Sequence, residues 1–139
     1  GFLYIIDEYG STKAGKLANY YAGICYLRLG QFQEAIDYLD NFSSDDVMVG
    51  TVAIGATGDA YMELGDTETA IEKYLEAADN NPNDFTTPIY LMKAGRACEI
   101  LGDYTRALQI YERIDADFKD TQEGRFIEKY ITQAKLRIK

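Results

Sequence analysis

The 139-residue chain contains no histidine. That absence removes Ser-His-Asp and Cys-His nucleophilic sites, haem ligation and imidazole-held zinc. Tryptophan is missing too, and prolines and cysteines number two each. Pro82 and Pro88 stand outside the periodic stretches, so no breaker interrupts a helical reading. Cys25 and Cys98 are too few for a structural metal site, and no glycine-rich phosphate loop occurs. Neither a metal nor an organic cofactor is expected. No run approaches the roughly 18 apolar residues that cross a bilayer, and no secretory signal pattern is visible.

Positive charge is scarce. Lys and Arg number 14 against 23 Asp and Glu, a formal net charge of −9. Arg125, Lys129, Lys135, Arg137 and Lys139 are opposed only by Glu128 in the last 15 residues, so the first 124 carry −13. Such a surface repels phosphate backbones, and nucleic acid is not an expected partner. The basic tail reads as cations complementing a helix C-terminus, with an anionic surface as the alternative.

What remains suits one helical domain. Apolar residues make up 47% and charged residues 27%, near the globular average, and Ala, Leu, Glu, Lys and Gln fill the periodic stretches. Three blocks align without internal gaps: Gly23, Tyr26, Leu29-Gly30, Ala35; then Gly58, Tyr61, Leu64-Gly65, Ala70; then Gly95, Cys98, Leu101-Gly102, Ala107. Successive glycines lie 35 and 37 residues apart, close to the ~34-residue period of helix-turn-helix repeats. Glycine inside a helix costs roughly 1 kcal/mol against alanine, so Gly23, Gly58 and Gly95 require close approach of a partner helix. Ala35, Ala70 and Ala107 are the matching small residues, Tyr26 and Tyr61 wedge between neighbours, and each Leu-Gly pair ends a helix.

The blocks resemble the tetratricopeptide repeat family over residues 16–118. The second block is the fullest match, adding Tyr74, Ala77 and Pro82, while the first offers Leu39 and Phe42. In the third, Cys98, Ile114 and Lys119 depart from the pattern. The resemblance implies an all-α, right-handed superhelical solenoid of antiparallel helix pairs forming a single domain over 1–139. Repeats are expected at 12–42, 47–80 and 87–118, with linkers at 43–46 and 80–88. Residues 1–10 read as the end of a truncated earlier repeat, because the chain opens at Gly1 directly into an apolar run. Residues 121–138 read as a capping helix. Thr121 is its expected cap, and Phe126, Ile127, Tyr130, Ile131, Ala134 and Ile138 form its apolar side. Thr87 is expected to cap the helix that Pro88 opens.

The same resemblance assigns function to the concave face, where the first helix of each unit receives a peptide or partner helix. The matching positions are Tyr20, Ile24, Leu27 and Arg28; Gly55, Asp59, Met62 and Glu63; then Met92, Arg96 and Glu99. The carboxylate clamp of the chaperone-binding branch is absent, since Tyr20, Ile24 and Asp59 stand where its lysine and asparagines belong. The expected product is a non-catalytic protein-interaction scaffold with an apolar groove and Arg96 as an anchor. A homodimer that fills its own groove is the alternative. Asp45, Asp46, Glu63 and Asp66 read as solvated linker acids, and both cysteines as free core thiols. Residues 5–15, followed by the first block, also look like membrane-anchored bacterial repeat proteins of the YfgM type, accessory to the Sec translocon. That likeness implies an upstream membrane anchor and the periplasmic side of the inner membrane, with the cytoplasm as the alternative.

Overall fold

The structure, a computed structural model, describes residues 1–10 and 12–139. Ser11, inside the opening segment that carries the second resemblance, lies outside the described residues. Eight α-helices and no strand are present among the described residues: α1 (Phe2–Tyr9), α2 (Lys13–Arg28), α3 (Phe32–Asp40), α4 (Val47–Glu63), α5 (Thr67–Asn80), α6 (Thr87–Ile100), α7 (Tyr104–Asp117) and α8 (Gln122–Arg137). Each helix packs on the next, giving a helical solenoid with pairs α2/α3, α4/α5 and α6/α7.

One turn is built three times. Gly30, Gly65 and Gly102 take φ of 78°, 83° and 75°, the left-handed region where a side chain is disfavoured. Each donates its N–H three residues back, to Leu27, Met62 and Glu99. The next residue donates five back, from Gln31 to Tyr26, Asp66 to Tyr61 and Asp103 to Cys98, at 2.9–3.0 Å. Two orphan helix carbonyls are thereby satisfied in each hairpin. Asp66 and Asp103 also open the second helix of their pairs, accepting from Thr69 N at 3.2 Å and Arg106 N at 3.1 Å, and Asp46 does the same for α4. Asp46 and Asp66 are therefore helix caps rather than merely solvated acids.

The helical glycines mark close helix contacts, as their cost demands, and the partner is a large side chain. A Cβ on Gly58 would lie 2.7 Å from the Tyr74 ring, one on Gly23 would lie 2.6 Å from Leu39, and the Gly95 position is filled by Tyr111. In each pair the intruding residue lies four beyond the fully buried Ala35, Ala70 or Ala107. The alanine lets the helices close, and the next turn inserts its side chain over the glycine.

Several local expectations require correction. Thr87 is the first residue of α6 and not its cap. Its hydroxyl donates to Ala78 O at 3.0 Å and accepts from Asn83 N at 2.9 Å, which ties the 81–86 loop to the preceding helix. Phe126 is 63% exposed and Ile138 also lies at the surface, whereas Ile127, Ile131 and Ala134 are buried as the 3.6 period requires. Cys98 is a core thiol whose pKa burial raises, but Cys25 is exposed on α2; both are free.

Packing is uneven along the array. One continuous core runs from Ala70 in α5 to Ala134 in α8, while Leu39, Ala53 and Ala56 form a small separate cluster with Tyr20, Ile24, Leu27 and Phe42. Ion pairs one repeat apart bridge the second and third units: Glu68 with Arg106 at 2.8 and 3.0 Å, and Asp79 with Arg113 at 2.7 Å. Between α3 and the start of α4 lies a cleft of about 500 Å3. Gly50 lines it, and nothing approaches within 4 Å of where its Cβ would stand.

These two kinds of glycine predict opposite outcomes. Gly58→Ala should destabilise the domain by about 1–3 kcal/mol, because the Tyr74 ring is hemmed in. Gly50→Ala should stabilise it by about 0.5–1 kcal/mol through helix propensity alone. Urea titration decides, and equal effects at the two positions would contradict the packing described.

Candidate partner-binding groove

The first helices of the pairs supply a row of neighbouring clefts. One, of about 490 Å3, is lined by Leu27, Arg28, Gly30, Phe32, Asp59, Met62, Glu63 and Tyr74. The next, of about 400 Å3, shares Asp59, Met62 and Tyr74 and adds Ile89, Met92, Lys93, Arg96, Ala97, Ile100 and Glu123. A third, of about 350 Å3, shares Arg96 and Ile100 and adds Glu99, Tyr104, Gln133 and Arg137. The shared walls join them into one groove along α2, α4, α6 and α8.

Eight of the ten side chains expected in the groove line these clefts: Leu27, Arg28, Asp59, Met62, Glu63, Met92, Arg96 and Glu99. Tyr20 and Ile24 do not. They are half-buried against Leu39, Ala53 and Ala56, with the Tyr20 ring 5.3 Å from Phe42. Gly55 is no groove position either, since it is buried and the Tyr90 ring of α6 occupies the space a side chain would need. Lys93, Tyr74, Ile89 and Ile100 line the clefts unforeseen. Ile100 carried a signal, for it follows Gly95 by the interval that separates Arg28 from Gly23 and Glu63 from Gly58.

Several polar groups of the groove are engaged with one another. The Asp59 carboxylate accepts from the Tyr74 hydroxyl at 2.6 Å and from Lys93 Nζ at 2.9 and 3.2 Å. Lys93 also sits 5.7 Å from the Tyr74 ring centroid. Asp59 thus joins α4, α5 and α6, and its charge is matched locally rather than offered outward. Burial, then the Asp59 hydrogen bond and charge, hold the Tyr74 ionisation far above its ordinary value. Burial and the same carboxylate push Tyr90 up to about 12. At the far end Arg96 pairs with Glu99 at 3.1 Å and lies 5.4 Å over the Tyr130 ring. The Tyr111 hydroxyl is buried without a hydrogen-bond partner, and burial together with the Glu99 carboxylate raises its pKa.

Around the second cleft the accessible surface is mainly apolar. Met62 and Met92 are half-exposed, and Ile89 and Ile100 are exposed, around the second cleft. Flexible, polarisable methionines accommodate irregular apolar surfaces. Among the described residues no group of three or more His, Cys, Asp or Glu side chains is placed to hold a metal ion.

Comparison with known proteins agrees with this architecture. One tetratricopeptide repeat model matches residues 56–120 and another matches residues 17–45, together more than half of the chain. The chain belongs to the tetratricopeptide repeat family. The match over 17–45 takes in most of α2 and all of α3, the two helices of the first pair. Tetratricopeptide repeat protein 8 of Caenorhabditis elegans is 27% identical over 108 residues, covering 75% of this chain and 20% of that protein. The chain thus spans about a fifth of the length of this curated relative. Tetratricopeptide repeats as a class mediate contacts with proteins or peptides, and the family is typically non-catalytic.

The raised tyrosines predict a loss of stability of this tetratricopeptide domain at alkaline pH. A group whose folded pKa lies above its unfolded value near 10 contributes stability that is full below that value. The contribution disappears as pH climbs through the raised one. The urea midpoint should therefore fall markedly between about pH 8 and about pH 11, with tyrosinate absorbance from the buried rings appearing only on unfolding. An unchanged midpoint would show that these rings ionise freely in the folded state.

Proposed function

We propose that this chain is a non-catalytic scaffold whose groove receives an extended peptide or partner helix along α2, α4, α6 and α8. The observation that carries the reading is the second cleft. There Met62, Met92, Ile89 and Ile100 present accessible apolar surface, while the neighbouring carboxylate of Asp59 is neutralised by Lys93. An amphipathic segment gains apolar burial there without desolvating an unpaired charge. Catalysis has no corresponding support, because Asp59 is matched by Lys93 and Glu99 by Arg96, and no convergent set of titratable side chains stands over the open second cleft.

The envelope setting implied by the resemblance of the opening segment is part of this proposal only as a place to look for partners. No helix among the described residues is long and apolar enough to cross a membrane. A role beside emerging or chaperone-bound chains would suit an apolar groove.

Met62→Asp with Met92→Asp should lower retention of partners in pull-downs at least tenfold, because each change puts charge against an apolar ligand. The same load at exposed Gln33 and Gln109, on α3 and α7, should change retention little. Equal retention by both variants would show that the groove is not the working surface. Loss of a dimer alone in sedimentation would hand the groove to a second copy of this chain.

A further inference from the structure

The helix that closes the array repeats the construction of the first pair's opening helix. Thr12 and Thr121 have the same extended backbone, with φ and ψ of −80° and 164° against −78° and 166°. Each hydroxyl donates to the carbonyl three residues back, Tyr9 or Phe118, at 2.6 Å. Each also accepts from the glycine three residues on, Gly15 at 3.0 Å and Gly124 at 3.1 Å. Neither glycine could carry a side chain, because the preceding helix end fills the space. α8 is therefore seated as a first helix, in register with α2. Counting from Gly124 as from Gly15, the positions of Tyr20, Ile24, Leu27 and Arg28 fall on Lys129, Gln133, Leu136 and Arg137.

Two of these positions, Gln133 and Arg137, reach the groove, and the chemistry there differs from the rest of it. Gln133 and Arg137 line the third cleft with Arg96, and Leu136 is 81% exposed. Three cations lie against tyrosine rings: Arg96 and Lys129 at 5.4 and 5.2 Å from Tyr130, and Arg137 at 5.5 Å from Tyr104. Arg96 also donates to the Tyr130 hydroxyl at 3.5 Å and Arg137 to the Tyr104 hydroxyl at 3.4 Å, which positions each guanidinium while using only part of its five donors. The third cleft itself holds Arg96 and Arg137 against one acid, Glu99, which is paired with Arg96; Asp59 and Glu123 stand in the adjoining cleft, and Glu128 precedes Lys129. This is a local positive excess on a molecule of net charge −9.

We propose that the α8 end of the groove is an anion subsite that takes the carboxylates of an acidic stretch in the partner polypeptide, whose apolar part lies over Met62 and Met92. The inference rests on the groove reading above. A polypeptide fits better than an anionic membrane, because the cations adjoin a concave apolar cleft that a single segment can fill and a flat bilayer surface cannot.

The test uses short fluorescent helical peptides with one leucine face and a run of Glu at one end, at the other end, or replaced by Gln. One Glu peptide should bind the wild-type chain roughly fivefold tighter than the Gln peptide at low salt, with the preference shrinking as salt rises. Lys129→Gln with Arg137→Gln should erase that preference without changing helicity by circular dichroism. Equal binding of Glu and Gln peptides by the wild type, or a preference that survives the double variant, overturns the subsite while leaving the groove intact. Failure of every peptide to bind, or binding unmoved by Met62→Asp with Met92→Asp, overturns the groove reading and this inference with it. Capture of phosphatidylglycerol vesicles that needs Lys129 and Arg137, with no peptide preference, assigns the cations to a membrane and overturns the proposal.

Discussion

A side chain inserted over a glycine holds each helix pair at its working distance: Leu39 over Gly23, Tyr74 over Gly58 and Tyr111 over Gly95. The positive-φ glycines between paired helices set where the chain reverses. The interlock sets how close the helices then lie, and therefore where the next pair can stack. Because Tyr74 is fixed in this way, its hydroxyl reaches Asp59, and Asp59 in turn reaches Lys93 of the following pair. The groove floor is thus a by-product of core packing, with Asp59 and Lys93 matched to each other and Met62 and Met92 left free.

The interlock is not equally strong along the array. In the second and third pairs a tyrosine ring fills the contact and joins a core that continues into α8. In the first pair the smaller Leu39 does so, within a cluster of its own. The ion pairs Glu68 with Arg106 and Asp79 with Arg113 reinforce only the later junction. Exposed pairs of this kind contribute little individually, so the apolar continuity is what matters. In a linear array, where each unit is stabilised by its neighbours, the α2/α3 pair is the weakest link.

The fold was legible because its signals are local and repeated: a glycine, a Leu-Gly turn and an alanine at fixed offsets, each with one dominant physical reason. The groove was less so. Sequence offsets put Met62, Met92 and Arg96 into the clefts, but they also put Tyr20 and Ile24 there, and these are half-buried against Leu39, Ala53 and Ala56. Facing direction alone does not reveal that the neighbouring unit has moved over a position. Lys93 was missed because only its salt bridge to Asp59, 34 residues earlier, gives it a role. Cys25 was misplaced because its helix belongs to the pair with the smallest core. The Thr-x-x-Gly identity of α2 and α8 was visible at Thr12, Gly15, Thr121 and Gly124, but it lies outside the three-block alignment and acquires meaning only from matching backbone angles.

The central claim is that the glycine and the intruding ring are one interaction rather than two independent preferences. A double-mutant cycle between Gly95 and Tyr111, read by urea titration, addresses it directly. Gly95→Ala should cost about 1–3 kcal/mol beside Tyr111. Beside Tyr111→Ala, where the space is vacated, it should be neutral or stabilising by up to about 1 kcal/mol. Additive effects, with Gly95→Ala costing the same in both backgrounds, would contradict the account.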